Sequence, residues 1–207
     1  MASTTPDMIA RAFDPEGLDH IEEQLAQLRR VDLTAKFDRN HAAVLVALCH
    51  DHNRDPAVLF TLRSSELRSH RGEVSFPGGH VDPEDHDDVA AAIRECQEEI
   101  FLTPQRILGR WHDVTNKNAT AAVTPCVAYL GHVDARNQAF NESEVAEVFT
   151  VPLATLMDPR FRSTWSTSRF PGVKMPQFDG APHRIWGLTA YILSGVLNSA
   201  IFPTTQH

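Results

Sequence analysis

Leu59–Leu102 reads LFTLRSSELRSHRGEVSFPGGHVDPEDHDDVAAAIRECQEEIFL. Its end, Arg94-Glu95-Cys96-Gln97-Glu98-Glu99, sets three carboxylates within five residues. On a helix, Glu95 and Glu99 lie one turn apart on one face with Glu98 beside them, and like charges at that spacing are unfavourable unless a cation joins them. Pro77-Gly78-Gly79 interrupts any regular element, and Asp82–Asp88 is an acidic loop. Asp87 or Asp88 is placed to cap a helix over Val89–Ile100. Val89, Ile93, Cys96 and Ile100 recur at helical steps and predict its apolar face, so the three glutamates are expected to point outward together.

Outward from this stretch, Glu16–Arg30 predicts an amphipathic helix through Leu18, Ile21, Leu25 and Leu28, with Arg29 and Arg30 at the end that favours cations. Residues 1–15 are expected to be a flexible start, followed by one domain over 16–207. Ala42–Cys49 and Ala57–Leu62 are short apolar runs and read as a pair of buried strands. Ile107–Val114, Val123–His132 and Val145–Val151 predict three more, with Pro125 marking an edge or an irregularity in the second. Leu153–Met157 predicts a short helical turn and Phe161–His183, rich in Pro, Gly and aromatics, a long loop or flap. Ile185–Ser199 predicts a closing helix with Leu188, Tyr191, Ile192 and Val196 on one face. Helices and strands in this order define an α/β sandwich.

Composition narrows the partners. The chain of 207 residues carries a formal net charge of −8, which argues against a nucleic-acid or anionic-membrane surface. No apolar run reaches the length of a membrane span. Cys49, Cys96 and Cys126 are odd in number and form no C-x-x-C pair, as expected for free thiols in a reducing compartment. The first residues do not resemble a secretory signal and make a poor mitochondrial presequence, and the C-terminus is not a peroxisomal S-K-L address. The expected location is intracellular, either cytoplasm or mitochondrion.

Taken alone, three acids on a helix fit a solvated face as readily as a metal site. As ligands they are hard oxygen donors without Cys or paired His, which suits Mg²⁺ or Mn²⁺ and not zinc. Such ions neutralise a diphosphate and lower the pKa of bound water, and a further carboxylate accepts that water's proton. The residues therefore suggest metal-assisted hydrolysis of a phosphoric anhydride.

The run Gly79…Arg94-Glu95-Cys96-Gln97-Glu98-Glu99-Ile100-Phe101-Leu102 resembles the Nudix box, G-x5-E-x7-R-E-U-x-E-E-x-G-U, where U is a bulky apolar residue. Upstream, Leu59-x-Thr61-x-Arg63-Ser64…Leu67-Arg68-x-His70-x-Gly72-Glu73-Val74-x-Phe76-Pro77-Gly78-Gly79 resembles the signature of the coenzyme A diphosphatase branch. The resemblance implies a Nudix-like α/β/α sandwich with a central mixed β-sheet and a catalytic loop-helix-loop, the motif lying at about 79–102. It implies a metal-dependent hydrolase cutting coenzyme A or acyl-CoA to 3′,5′-ADP and (acyl)phosphopantetheine. The alternatives are another nucleoside-diphosphate-linked substrate, such as NADH or ADP-ribose, and a non-catalytic nucleotide- or partner-binding module. By the same resemblance Glu95 and Glu99 are metal ligands, and Glu98 is a third ligand or the proton acceptor. Arg94 would hold the carboxylates. Gly78 and Gly79 would bring the loop close to metal and substrate. Arg63, Arg68 and His70 would meet the phosphates. A later glutamate also serves many members; Glu144 is the first choice here and Glu142 the second. The partner implied is a small molecule, bound by a monomer or homodimer.

Two positions depart from the pattern. The spacing from Gly79 to Arg94 is one residue longer than in the general box, and the acid near its middle is Asp85 or Glu84. Phe101 stands where the box has Gly, a position that usually takes the left-handed conformation. A Cβ costs about 1 kcal/mol or more there, so a remodelled helix end or a displaced following strand is expected.

Overall fold

The computed structural model describes residues 6–37, 40–66, 71–116, 118–166 and 174–203. In chain order the helices are α1 (Pro6–Ala10), α2 (Pro15–Gln27), α3 (Asp88–Ile100), α4 (Leu153–Met157) and α5 (Gly187–Val196), the last continuing as a π-helical turn over Leu197–Ile201. The strands are β1 (His41–His50), β2 (Pro56–Arg63), β3 (Val74–Ser75), β4 (Gly78–His80), β5 (Arg106–Arg110), β6 (Val114–Thr115), β7 (Ala122–His132), β8 (Val145–Pro152), β9 (Arg162–Ser166) and β10 (Lys174–Phe178).

β1 is the axis. It pairs antiparallel with β2 (Ala47 opposite Leu59) and β4 (Ala43 opposite Gly79), and parallel with β7 (Leu45 opposite Cys126). β7 carries β5 and β6 on its other side, and β2 carries β3 and β8. The mixed sheet is covered on both faces, giving the α/β/α sandwich. Alternation along β1 divides the core: Val46 and Leu48 pack with Val58, Phe60 and Val127 under α2 and α5, while Leu45, Ala47 and Cys49 pack with Leu59, Cys126 and Ala128 under α3. The α3 side is rich in small residues, Ala43, Ala47, Ala57 and Ala128 among them, so the helix lies close to the strands. All three cysteines are buried, and burial pushes each thiol up to about 12, which makes them core residues and not nucleophiles.

Several expectations are redrawn. α2 ends at Gln27, so Arg30 does not close the helix; its Nη2 instead reaches both oxygens of buried Asp113 at 3.1 and 3.2 Å. Residues 6–10 form α1, and Phe13 is buried against the core. The run 107–114 is two strands, β5 and β6, separated opposite Pro125, whose carbonyl accepts from Trp111 N–H at 2.9 Å. Pro125 thus marks an irregularity inside the sheet, where a missing N–H goes unneeded. The predicted flap over 161–183 contains a hairpin, β9 against β10, with Trp165 opposite Met175. α5 buries Ala190, Ile192, Leu193 and Val196, whereas Tyr191 is exposed. Its π turn rephases the helix so that Leu197, Ala200 and Ile201 also reach the core. Among the described residues no helix is long and apolar enough to cross a membrane.

Candidate active site

β4 and the last two turns of α3 build the site together. Asp87 caps α3, its carboxylate accepting from Ala90 N–H at 2.9 Å. The helix is rotated from the predicted phase: Ala91, Ala92, Cys96, Glu99 and Ile100 are buried, while Val89 and Ile93 are only half-buried. The three glutamates therefore do not point outward together. Glu99 is 2% exposed, Glu95 is half-buried and Glu98 is exposed.

Two glycines make room for this. Gly78 has φ +152°, and a Cβ there would lie 2.4 Å from the Ala43 carbonyl oxygen of β1. Its N–H donates to Glu99 Oε2 at 3.2 Å. A Cβ on Gly79 would lie 2.4 Å from Glu95 Oε1. Both glycines were predicted to serve close approach to metal and substrate; in the structure they seat the two carboxylates. Gly79→Ala is accordingly expected to displace Glu95 and cost about tenfold or more in turnover with little change in melting temperature. Steady-state rates beside a thermal melt check this, and a variant with wild-type rates would show that Glu95 has no fixed seat.

The third acid comes from the turn before β8. Ligand oxygens of Glu95, Glu99 and Glu144 all lie within 4.8 Å of one another. Asn141 N–H donates to the Glu99 carbonyl at 2.8 Å, Glu144 N–H to the Asn141 carbonyl at 3.0 Å, and the Asn141 amide to Glu144 Oε1 at 3.2 Å. Ser64 N–H donates to the Glu144 carbonyl at 2.8 Å, tying the turn to the end of β2. Glu142 is exposed and outside the group. So is Glu98, whose carboxylate turns to Arg94 Nη1 at 3.1 Å.

Arg94 spends all five N–H donors in place. Nε and Nη2 form a fork on Asp85 at 3.0 and 2.9 Å, Nη2 also reaches the His80 carbonyl at 3.0 Å, and Nη1 reaches Glu95 at 3.0 Å and Glu98 at 3.1 Å. Asp85, not Glu84, is thus the mid-loop acid that matters structurally. Its hydrogen bonds from Arg94 hold its carboxyl below the usual range. Burial raises Glu95, opposed by Arg94, and pushes Glu99 up to about 8, opposed by the Gly78 N–H and by Arg63.

Arg63 stands across the cluster, its Nη1 3.8 Å from Glu99 Oε1 and its Nε buried without a partner among the described residues. Arg68 and His70 lie outside the described residues. Phe101 ends α3 with φ 56° and ψ 29°, so the left-handed stop survives with a Cβ in it and the predicted remodelling does not occur. Phe101 N–H donates to the Gln97 carbonyl at 3.1 Å, and the Gln138 amide caps the Ile100 carbonyl at 2.7 Å. Arg94, Gln97, Glu98, Phe101, Asn141 and Glu144 line a cleft of about 590 Å³ beside the acids.

The donor set fits a divalent cation. It is all carboxylate, it converges from two segments, and one member is almost fully buried with a guanidinium 3.8 Å away as its charge partner among the described residues.

Residues 39–169 match the NUDIX domain family, more than half of the chain, and the chain belongs to the Nudix family. Within it the sequence sides with relatives named coenzyme A diphosphatases. It is 38% identical over 185 residues to the mitochondrial coenzyme A diphosphatase NUDT8 of Mus musculus, covering 86% of this chain and 87% of that one. It is 42% identical over 156 residues to NUDT8 of Homo sapiens, covering 73% of this chain and 65% of the relative. The peroxisomal coenzyme A diphosphatase NUDT7 of Mus musculus is 39% identical over 144 residues, with 68% and 60% covered. A crystallographic MutT/nudix family protein from Enterococcus faecalis shares the fold at a TM-score of 0.51 and 14% identity, over 96% of this chain and 74% of that one. Nudix hydrolases generally require a divalent metal, and the acid cluster lies within the matched residues.

Proposed function

We propose that the chain is a divalent-metal-dependent diphosphatase that hydrolyses coenzyme A or acyl-CoA to 3′,5′-ADP and (acyl)phosphopantetheine. The observation that carries this is the convergence of Glu95, Glu99 and Glu144 within 4.8 Å, with Arg63 beside them. The Leu59–Gly79 stretch and the relatives' names supply the substrate branch.

Glu95, Glu99 and Glu144 would hold Mg²⁺ or Mn²⁺, which when bound neutralises phosphate charge and acidifies water. Glu144 takes the third-ligand role that the sequence offered to Glu98. Glu98, exposed on the cleft wall, is left as acceptor for the proton of the attacking water. Arg94 fixes Glu95 and Glu98 and touches no substrate, since all its donors are used. Arg63, whose Nη1 stands 3.8 Å from Glu99 at the acid cluster, meets a phosphate oxygen, and Arg68 and His70 keep their predicted phosphate roles. Gly78 and Gly79 shape the loop that receives the diphosphate. The domain acts as a monomer or homodimer on a small molecule, in the cytoplasm or mitochondrion.

The test is a panel of coenzyme A, acetyl-CoA, NADH and ADP-ribose with Mg²⁺, Mn²⁺ or chelator, read as product release by chromatography. The expected result is metal-dependent appearance of 3′,5′-ADP from the two coenzyme A substrates, faster than cleavage of the others. Coenzyme A left uncut while NADH or ADP-ribose is consumed would replace the substrate assignment. No hydrolysis of any member would replace the reading of an enzyme with that of a binding module.

A further inference from the structure

Phe101 contributes little to the fold that holds it. It is 56% exposed, its backbone sits at φ 56°, where a Cβ is unfavourable, and its neighbours Gln138 and Asn141 cap the end of α3 without its ring. The same residue lines the cleft beside Glu144, one of the three convergent acids. A bulky apolar side chain kept exposed and in an unfavourable backbone conformation, at the mouth of the site, is better explained by a ligand than by packing.

The cleft's chemistry selects which part of the substrate lies there. Glu98, outside the acid group, keeps this wall anionic, and its one cation, Arg94, has every donor engaged. A terminal phosphate is disfavoured on that side. Gln97, exposed on the same wall as the ring, offers a side-chain amide, while that of Asn141 is engaged by Glu144 and Ser143. An apolar ring with a neutral amide on the same wall suits a neutral, amide-bearing arm.

Resting on the proposed function, we propose that Phe101 is a specificity-determining residue. Its ring supports the pantetheine arm of the substrate, and the 3′-phosphoadenosine half binds elsewhere. Phe101→Gly restores the residue that a left-handed helix stop favours, so the variant folds and melts no lower than the parent. With metal-loaded protein, the KM for coenzyme A is expected to rise about fivefold or more. kcat should change less than KM. As a product inhibitor, phosphopantetheine should lose potency by a similar factor, while 3′,5′-ADP changes by less than about twofold.

An unchanged KM, or equal losses for both product inhibitors, overturns the assignment, and a loss confined to 3′,5′-ADP moves the ring to the adenine half. Either result leaves coenzyme A cleavage standing. A parent protein that does not cleave coenzyme A refutes the underlying reading, and this inference with it.

Discussion

Glu99→Gln is expected to abolish metal-dependent turnover, by about a hundredfold or more, and at the same time to stabilise the metal-free protein at alkaline pH. Both effects follow from the burial of Glu99, which pushes its carboxyl up to about 8 from the model-compound value of 4.5. A raised carboxyl means that the fold prefers the protonated form. Its stabilising contribution is fully present below about 4.5 and is lost as pH rises through 8. Metal-free parent protein should therefore melt lower at pH 9 than at pH 5, and the neutral amide should flatten that slope. Divalent cation should raise the parent's melting temperature more at high pH than at low pH, because a bound cation favours the ionised carboxylate. Thermal melts with metal or chelator across this range, alongside turnover, test both halves. Full activity in the variant would remove Glu99 from the ligand set. A pH slope unaltered by the amide would place the titrating group elsewhere.

The second large effect is expected at Arg94. Arg94→Ala releases Glu95 and Glu98 and takes the fork from Asp85, whose side chain is only 7% exposed. Turnover should fall about a hundredfold because the ligand carboxylate loses its fixed position. Stability should fall by about 2 kcal/mol, a value suited to charge-assisted hydrogen bonds near a surface. Arg94→Lys should recover little of either, since an ammonium cannot serve the Asp85 fork and two glutamates together. Steady-state kinetics and denaturant melts on both variants decide it; a lysine variant with parental rates would show that charge alone suffices there.

Much of the sandwich was legible because burial on both faces leaves continuous apolar runs. Ala42–Cys49 and Ala57–Leu62 became β1 and β2 with ends shifted by one residue. The α3 cap was legible because an Asp ahead of a helical apolar pattern has one obvious use. The phase of α3 was only half legible: Cys96 and Ile100 were placed, but its first buried turn is Ala91 and Ala92, which carry a weak hydrophobic signal, while the larger Val89 and Ile93 dominate the pattern from the flank. That error made Glu99 look outward-facing. Glu144 was favoured over Glu142 by resemblance, but only the turn at Asn141, hydrogen-bonded to α3, brings it to the other acids. β9 and β10 were hidden because Pro and Gly near a hairpin read as loop, and their pairing is local to a separate two-stranded sheet. Asp85 was flagged only as an acid near the middle of the box, since nothing in its own neighbourhood points to an arginine a full turn into the helix.

The hydrogen bonds that pin the Asn141–Glu144 turn to both α3 and β2 also make the acid cluster a long-range feature of the chain. Glu95 and Glu99 are neighbours on α3, but Glu144 reaches them through the pairing of β8 with β2, strands far apart in sequence. Pairings so remote in sequence are slow to form, because loop closure is paid before contacts reward it. A chain in which that pairing has not formed holds two of the three acids together and, on the proposed metal role, is expected to bind a cation more weakly. On the proposed metal role, full capture of the ion, and hydrolysis with it, is expected only of the finished molecule.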